Sequence, residues 1–76
     1  MSAIVKTVNI FLRTASKSEV NELLSKIVLS ERQLKIFDMF YIKKKDIGFI
    51  ADTLYVSISV INCELRLIRE KVLRVI

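Results

Sequence analysis

One glycine and no proline occur among the 76 residues, and this scarcity limits the fold more than any other feature. Tight hairpin turns depend on residues that adopt positive φ, chiefly glycine following asparagine or aspartate. A chain almost without such residues has few means of reversing direction between short strands. We therefore predict an all-α fold, a small helical bundle of about four to five helices.

The N-terminal segment, Ala3 to Thr14, has an ambiguous pattern. Most of its apolar residues recur at helical spacing, but two fall off that stripe, so a helix and a strand both remain open. The stripe consists of Ile4, Val8, Phe11, Leu12 and Ala15, and the exceptions are Val5 and Ile10.

Four N-cap residues divide the rest of the chain into helices. Serine and aspartate accept hydrogen bonds from free amides of a first helical turn, and a glutamate or glutamine three residues later completes a capping box. The caps are Ser16, Ser30, Asp46 and Ser57, with Glu19 and Gln33 completing boxes at the first two. We predict a helix after each cap, so that these four helices are the second to the fifth of the chain, and the last should run to about Leu73.

The apolar residues of these helices repeat at i, i+3 and i+4, which places them on one face and predicts the core. In the second helix they are Val20, Leu23, Leu24 and Ile27. In the third they are Leu34, Phe37, Phe40 and Tyr41, in the fourth Ile47, Ile50, Ala51 and Leu54, and in the last Ile61, Leu65, Ile68 and Val72.

The composition limits the classes of function. Lysine and arginine number 13 against 8 aspartates and glutamates, a net charge of +5 with a pI near 9.7, which favours an anionic partner, nucleic acid before a membrane surface. No apolar run approaches the roughly 18 residues of a membrane span. Lys6 interrupts the apolar N-terminus, which argues against a secretory signal.

The chemistry of catalysis and of metal binding has little support. One cysteine, Cys63, and no histidine allow neither an intramolecular disulfide nor the usual zinc site, so we expect no metal and no other cofactor. Without a histidine base, a nucleophile elbow or a glycine-rich phosphate loop, we expect no enzyme. We assign Cys63 no redox role, because a lone thiol without a neighbouring base is usually inert.

A set of short motifs from Leu29 onward occurs in a characteristic order. Leu29-Ser30-Glu31-Arg32-Gln33 precedes Ile47-Gly48-Phe49-Ile50-Ala51, then Tyr55-Val56-Ser57, then a tail with Ile61, Leu65, Ile68, Arg69 and Lys71. Together they resemble region 4 of bacterial sigma factors and the related LuxR-type domains, over about two-thirds of the chain. The resemblance implies a helix-turn-helix in residues 29–76. Residues 1–28 form an N-terminal helical segment, and without a flexible linker we expect all the helices to pack as one unit.

Two positions depart from the family pattern. Tyr55 stands where the family usually has glycine, at a turn residue with positive φ, and Val60 stands where a polar residue is common. Because a residue with a β-carbon in that conformation costs on the order of 1 kcal/mol, we expect Tyr55 to strain or reshape the turn. Ala51 agrees with the pattern, since a small side chain there lets the two helices of the motif cross closely.

The resemblance implies that the last helix enters the major groove of double-stranded DNA with its N-terminal part. The outward residues expected to read bases are Ile58, Ser59, Asn62, Cys63 and Arg66, with Asn62 suited to adenine, Arg66 to guanine and Ile58 to a thymine methyl. The residues expected to contact phosphates are Lys43, Lys44, Lys45, Ser57, Arg69, Lys71 and Arg74. The alternative for both groups is an ordinary solvated surface.

The function expected from the resemblance is that of a stand-alone transcriptional regulator in the cytoplasm of a bacterial cell or a phage-infected host. A complete sigma factor has further domains, for which 76 residues leave no room. RNA polymerase is a second expected partner, and the stretch from Ile4 to Leu12 either forms a homodimer or completes the core. The alternative function is a protein-interaction module that binds polymerase or a sigma partner without DNA, and a membrane-surface peptide is disfavoured.

Overall fold

The computed structural model describes residues 3–75, with side chains from Lys6 onward, and all regular structure within that part is helical. It consists of five α-helices and one short π-helical segment. The α-helices are α1 (Ala3–Thr14), α2 (Lys17–Lys26), α3 (Glu31–Phe37), α4 (Ile47–Leu54) and α5 (Ile58–Leu73), and the π-helical segment is Asp38–Ile42. The predicted small all-α fold is confirmed.

The ambiguous N-terminal segment is helical. In α1, Val8 and Leu12 lie four residues apart and are buried, which is the spacing of one helical face. Ile10, which falls off that stripe in the sequence, is exposed on α1. The side chains of Ile4 and Val5, for which the sequence makes opposite predictions, lie outside the described residues.

The predicted N-caps are all formed. Ser16 Oγ accepts from Glu19 N at 3.2 Å and Ser30 Oγ accepts from Gln33 N at 3.1 Å, and both capping boxes are complete. Asp46 Oδ1 accepts from Phe49 N at 2.7 Å, and Ser57 Oγ from Val60 N at 3.2 Å. Each cap stabilises its helix by about 1 kcal/mol, so these four side chains determine where α2 to α5 begin.

The buried face of α3 differs from the predicted one. Phe37 and Tyr41 are buried as predicted, but Leu34 is 46% exposed and Ile36 is 0% exposed in its place. The core face runs through Gln33, a polar residue that conceals the stripe in the sequence. Burial of Gln33 is tolerated because its Oε1 accepts a hydrogen bond from Ser30 N at 3.1 Å.

The π-helical segment was not predicted from the sequence. Its backbone bonds join residues five apart, as in Lys43 N to Asp38 O at 2.9 Å. Two aromatic contacts accompany the wider turn: Phe37 and Tyr41 have ring centroids 5.2 Å apart, and Phe40 meets Tyr41 edge-on at 4.9 Å. The segment ends at the lysine run and leads into the Asp46 cap of α4.

Helix α4 is separated from α5 by three residues, Tyr55, Val56 and Ser57, and the chain bends by 107° between the two helices. At the end of α4, Val56 N donates to Ala51 O at 3.1 Å and Tyr55 N to Asp52 O at 3.4 Å. These bonds form a Schellman motif, in which the residue after the helix adopts the left-handed conformation. Tyr55 has φ 57° and ψ 42°, the conformation expected where the family has glycine.

The chain divides into two compact units. One consists of Met1–Val28 with Arg69–Ile76, and its buried residues include Val8, Leu12, Val20, Leu23 and Val72. The other consists of Leu29–Ile68, and its buried residues include Ile36, Phe37, Tyr41, Ile50, Ala51, Ile61, Leu65 and Ile68. The four predicted core positions of α5 are all buried, Ile61, Leu65 and Ile68 in the second unit and Val72 in the first.

Within residues 3–75, no single helix is both long and apolar enough to cross a membrane. Helices α4 and α5 meet the length and composition required only when they are taken together, across the 107° bend.

The assignment of the α3 core face can be tested by two alanine substitutions two residues apart, on nearly opposite faces of the helix. Ile36→Ala removes a fully buried side chain, and we expect it to lower the free energy of unfolding by about 2–5 kcal/mol. Leu34→Ala is the matched control and should change that free energy by about 0.5 kcal/mol or less. Urea unfolding followed by circular dichroism measures both. Equal losses for the two variants would show that the face is assigned wrongly.

Candidate nucleic-acid interface

The first three turns of α5 present a continuous exposed face opposite the core. The buried face of α5 consists here of Ile61, Leu65 and Ile68, each of which is at most 2% exposed. At 3.6 residues per turn, the exposed residues then cover an arc of roughly 140° on the other side. They are Ile58, Ser59, Asn62, Cys63 and Arg66, the five residues predicted to read bases.

The polar groups of this face keep most of their hydrogen-bonding capacity. Arg66 Nη2 lies 3.8 Å from Cys63 Sγ, a weak contact between two exposed side chains one helical turn apart. The guanidinium has five N–H donors, so this contact leaves enough of them free to donate two parallel hydrogen bonds to a pair of acceptors in one plane. Asn62 is exposed beside it with both an amide donor and an acceptor.

Ser57 is exposed at the beginning of this face and serves as the cap of α5. Its oxygen accepts from Val60 N at 3.2 Å. A hydroxyl that accepts through its oxygen still has its own proton to donate. Ser57 can therefore cap the helix and donate to an acceptor outside the chain at the same time.

The lysine run lies in the loop between the π-helical segment and α4, and its three members differ. Lys43 Nζ pairs with Asp38 Oδ2 at 3.3 Å, and Lys45 Nζ lies 5.3 Å from the centroid of the Phe49 ring. Lys44 has positive φ, 59°, and its ammonium has neither an ionic nor a ring partner in the described part of the chain. Lys44 is therefore the lysine most available to an external anion.

The other predicted phosphate contacts, Arg69, Lys71 and Arg74, belong to a different compact unit from the exposed face of α5. Lys71 Nζ donates to Val28 O at 2.7 Å, so its ammonium already holds the backbone after α2. Arg69 is half-buried and Arg74 is exposed. Of the three, Arg74 has the most accessible charge.

Metal binding finds no support in the described side chains, because no group of three or more acidic or cysteine residues there could hold an ion. Cys63 is an exposed free thiol whose near neighbour is Arg66. Its position on the exposed face of α5 makes it a native reporter of whatever covers that face.

Tyr55 is a residue to which the sequence pattern assigns no functional role, only a departure from glycine in the turn. In the structure it combines positive φ with 95% exposure of its side chain. The available signal was a large aromatic residue where glycine would be conformationally cheaper. Phe49, at 49% exposed, is a second aromatic residue that the sequence did not single out.

Comparisons with known proteins found no protein-family model, no curated sequence and no solved structure that matches the chain. The resemblance to sigma factor region 4 therefore stays a prediction from the residues quoted above.

The exposure of Cys63 predicts its reactivity. We expect the native protein to react with a small maleimide at a rate within a few-fold of that in concentrated urea, because an exposed helical thiol needs no unfolding to react. Stopped-time labelling read by mass spectrometry gives both rates. A native rate more than about a hundredfold slower would place the thiol inside the protein and contradict this orientation of α5.

Proposed function

We propose that the protein is a sequence-specific DNA-binding transcriptional regulator that reads the major groove with α5. The observation that carries the proposal is the arrangement of α4 and α5, two helices joined by three residues at 107°. Helix-turn-helix units join their helices by three or four residues at about 90–120°. In such units the second helix lies in the groove and its N-terminal residues contact base edges.

Burial of the small residue Ala51 supports the same proposal. Ala51 is 4% exposed in α4, and its carbonyl accepts the bond from Val56 N that closes the turn. The resemblance expects a small buried residue at this position, because a longer side chain there would overpack the crossing of the two helices.

The chemistry of the exposed face suits base recognition. Arg66 can donate two hydrogen bonds to O6 and N7 of guanine, and Asn62 can both donate to and accept from adenine. Each such pair contributes about 1–3 kcal/mol of discrimination against the wrong base. Ile58, 54% exposed, offers an apolar contact to a thymine methyl group.

Phosphate contacts would then come from Ser57 and the lysine run. Lys44 has the least engaged ammonium of the run, and Ser57 stands at the N-terminus of α5, where the helix dipole attracts an anion. These contacts position the protein on the duplex without reading its sequence. Arg69, Lys71 and Arg74 remain proposed contacts of the other compact unit.

A specific observation favours a second function, a protein-interaction module that binds RNA polymerase or a sigma partner. Four large apolar side chains of residues 29–68 are about half exposed and offer apolar contacts to a protein partner. They are Leu34, Ile42, Phe49 and Ile58.

A homodimer through the N-terminal segment would present two copies of α5 to the DNA and so raise the affinity. Light scattering at tens of micromolar protein tests for the dimer.

The readout of bases can be tested by selection from random duplex DNA followed by sequencing. We expect the protein to enrich one motif, and Arg66→Ala to blur it at a single position, since only one side chain is lost. Arg32→Ala is the matched control, because Arg32 is an exposed arginine on α3 and its substitution removes the same charge. Failure of the unaltered protein to enrich any sequence would contradict the proposed function.

The role of Lys44 can be tested by the salt dependence of the same binding. Each phosphate neutralised by a lysine adds about 0.9 to the slope of log affinity against log salt concentration, because counterions are released. We expect Lys44→Ala to reduce that slope by about one. Lys35→Ala is the control, since Lys35 is exposed on α3 and pairs with Glu31 at 3.7 Å. Equal slopes for all three proteins would remove Lys44 from the interface.

A further inference from the structure

Tyr55 is held in a conformation that disfavours its own side chain, with φ 57° and ψ 42°. The left-handed region is populated readily by glycine, and a β-carbon meets the following carbonyl oxygen there. The Schellman bonds from Val56 N to Ala51 O and from Tyr55 N to Asp52 O require this conformation. The turn therefore imposes on Tyr55 a strain that glycine would not have.

The aromatic ring of Tyr55 does not offset this strain by packing against the rest of the chain. The Tyr55 side chain is 95% exposed, more than any other large apolar or aromatic side chain described. Burial of a tyrosine ring against the chain would offset the strain, but this ring is in solvent. Strained residues that the surrounding structure holds in place occur mainly at functional sites. The ring is therefore expected to interact with something outside the chain.

The position of Tyr55 indicates the partner. Tyr55 lies two residues before Ser57, the N-cap of α5, at the end of the helix that enters the groove in the proposed function. A helix with its side chains is about 10–12 Å across, and the major groove is about 12 Å wide. A side chain that projects sideways from the turn beside the inserted end would meet the groove wall, which consists of deoxyribose and phosphate.

We propose that Tyr55 contacts the DNA backbone: its phenol hydroxyl donates a hydrogen bond to a phosphate oxygen, and its ring packs against the adjoining deoxyribose. Tyrosine is among the side chains that contact phosphates in protein–DNA complexes. The hydroxyl of Ser57 and the N-terminus of α5 attract the same anion. This inference rests on the proposed function and adds to it a neutral contact that would fix the depth of α5 in the groove.

The contact has properties that separate it from those of the lysines. A neutral donor releases no counterion, so its loss lowers affinity without changing the salt slope. Replacement of Tyr55 by glycine also removes the strain, so its effects on stability and on DNA affinity have opposite signs. No contact made only for folding would give that combination.

The experiment measures DNA affinity by fluorescence anisotropy at several salt concentrations, and thermal unfolding, for Tyr55→Gly, Tyr55→Phe and Tyr55→Asn. We expect Tyr55→Gly to unfold at the same temperature or a few degrees higher, to bind the selected duplex about tenfold more weakly, and to keep the salt slope. Tyr55→Phe keeps the ring and loses the hydroxyl, and should bind roughly threefold more weakly or worse.

Tyr55→Asn is a second ring deletion in a residue that tolerates the left-handed conformation, so it keeps the test decisive should the glycine variant lose its fold. Undiminished affinity of Tyr55→Gly or Tyr55→Asn for DNA would overturn the inference and leave the proposed function intact. Absence of DNA binding by the unaltered protein would overturn both.

Discussion

The rest of the structure depends on the burial of one side of α5. Ile61, Leu65, Ile68 and Val72 are each at most 2% exposed, and the first three belong to one compact unit while Val72 belongs to the other. Burying four such side chains contributes about 1.5–3 kcal/mol each before conformational entropy is subtracted. That contribution fixes the rotation of α5 about its axis. The exposed arc from Ile58 to Arg66 is therefore a consequence of the core, and its chemistry is available to a partner.

The turn before α5 fixes the direction of this helix as the core fixes its rotation. The Schellman bonds at the end of α4 and the Ser57 cap at the start of α5 satisfy free backbone groups within three residues, so the chain bends by 107° without proline or glycine. The consequence is a tyrosine in the left-handed region. Glycine would avoid this strain, and the exposed ring in its place is the basis of the proposed contact with the DNA backbone.

Sequence reasoning predicted the parts of the fold that rest on local chemistry. The four caps, the end of α5 and its buried stripe follow from side-chain hydrogen bonding and helical period, and all are present. Two features of the third helical region were not predicted. Gln33 is polar yet buried because its amide is used at the Ser30 cap, which moved the predicted face to Leu34. The π-helical segment is accompanied by packing among Phe37, Phe40 and Tyr41, which no local sequence pattern specifies.

For the candidate site, the sequence identified which α5 residues are exposed. It could not show that Lys43, Lys45 and Lys71 already have partners within the chain.

The most direct measurement of the central claim is the alkylation rate of Cys63 in the presence of saturating duplex DNA at low ionic strength. Cys63 is the one cysteine of the sequence and lies on the exposed arc between Asn62 and Arg66. If α5 docks in the groove, the duplex should slow alkylation at least about tenfold, with no effect on a small free thiol, because the arc becomes covered. An unchanged rate with the protein fully bound to DNA would show that another surface makes the contact, and would contradict the account of α5 as the reading helix.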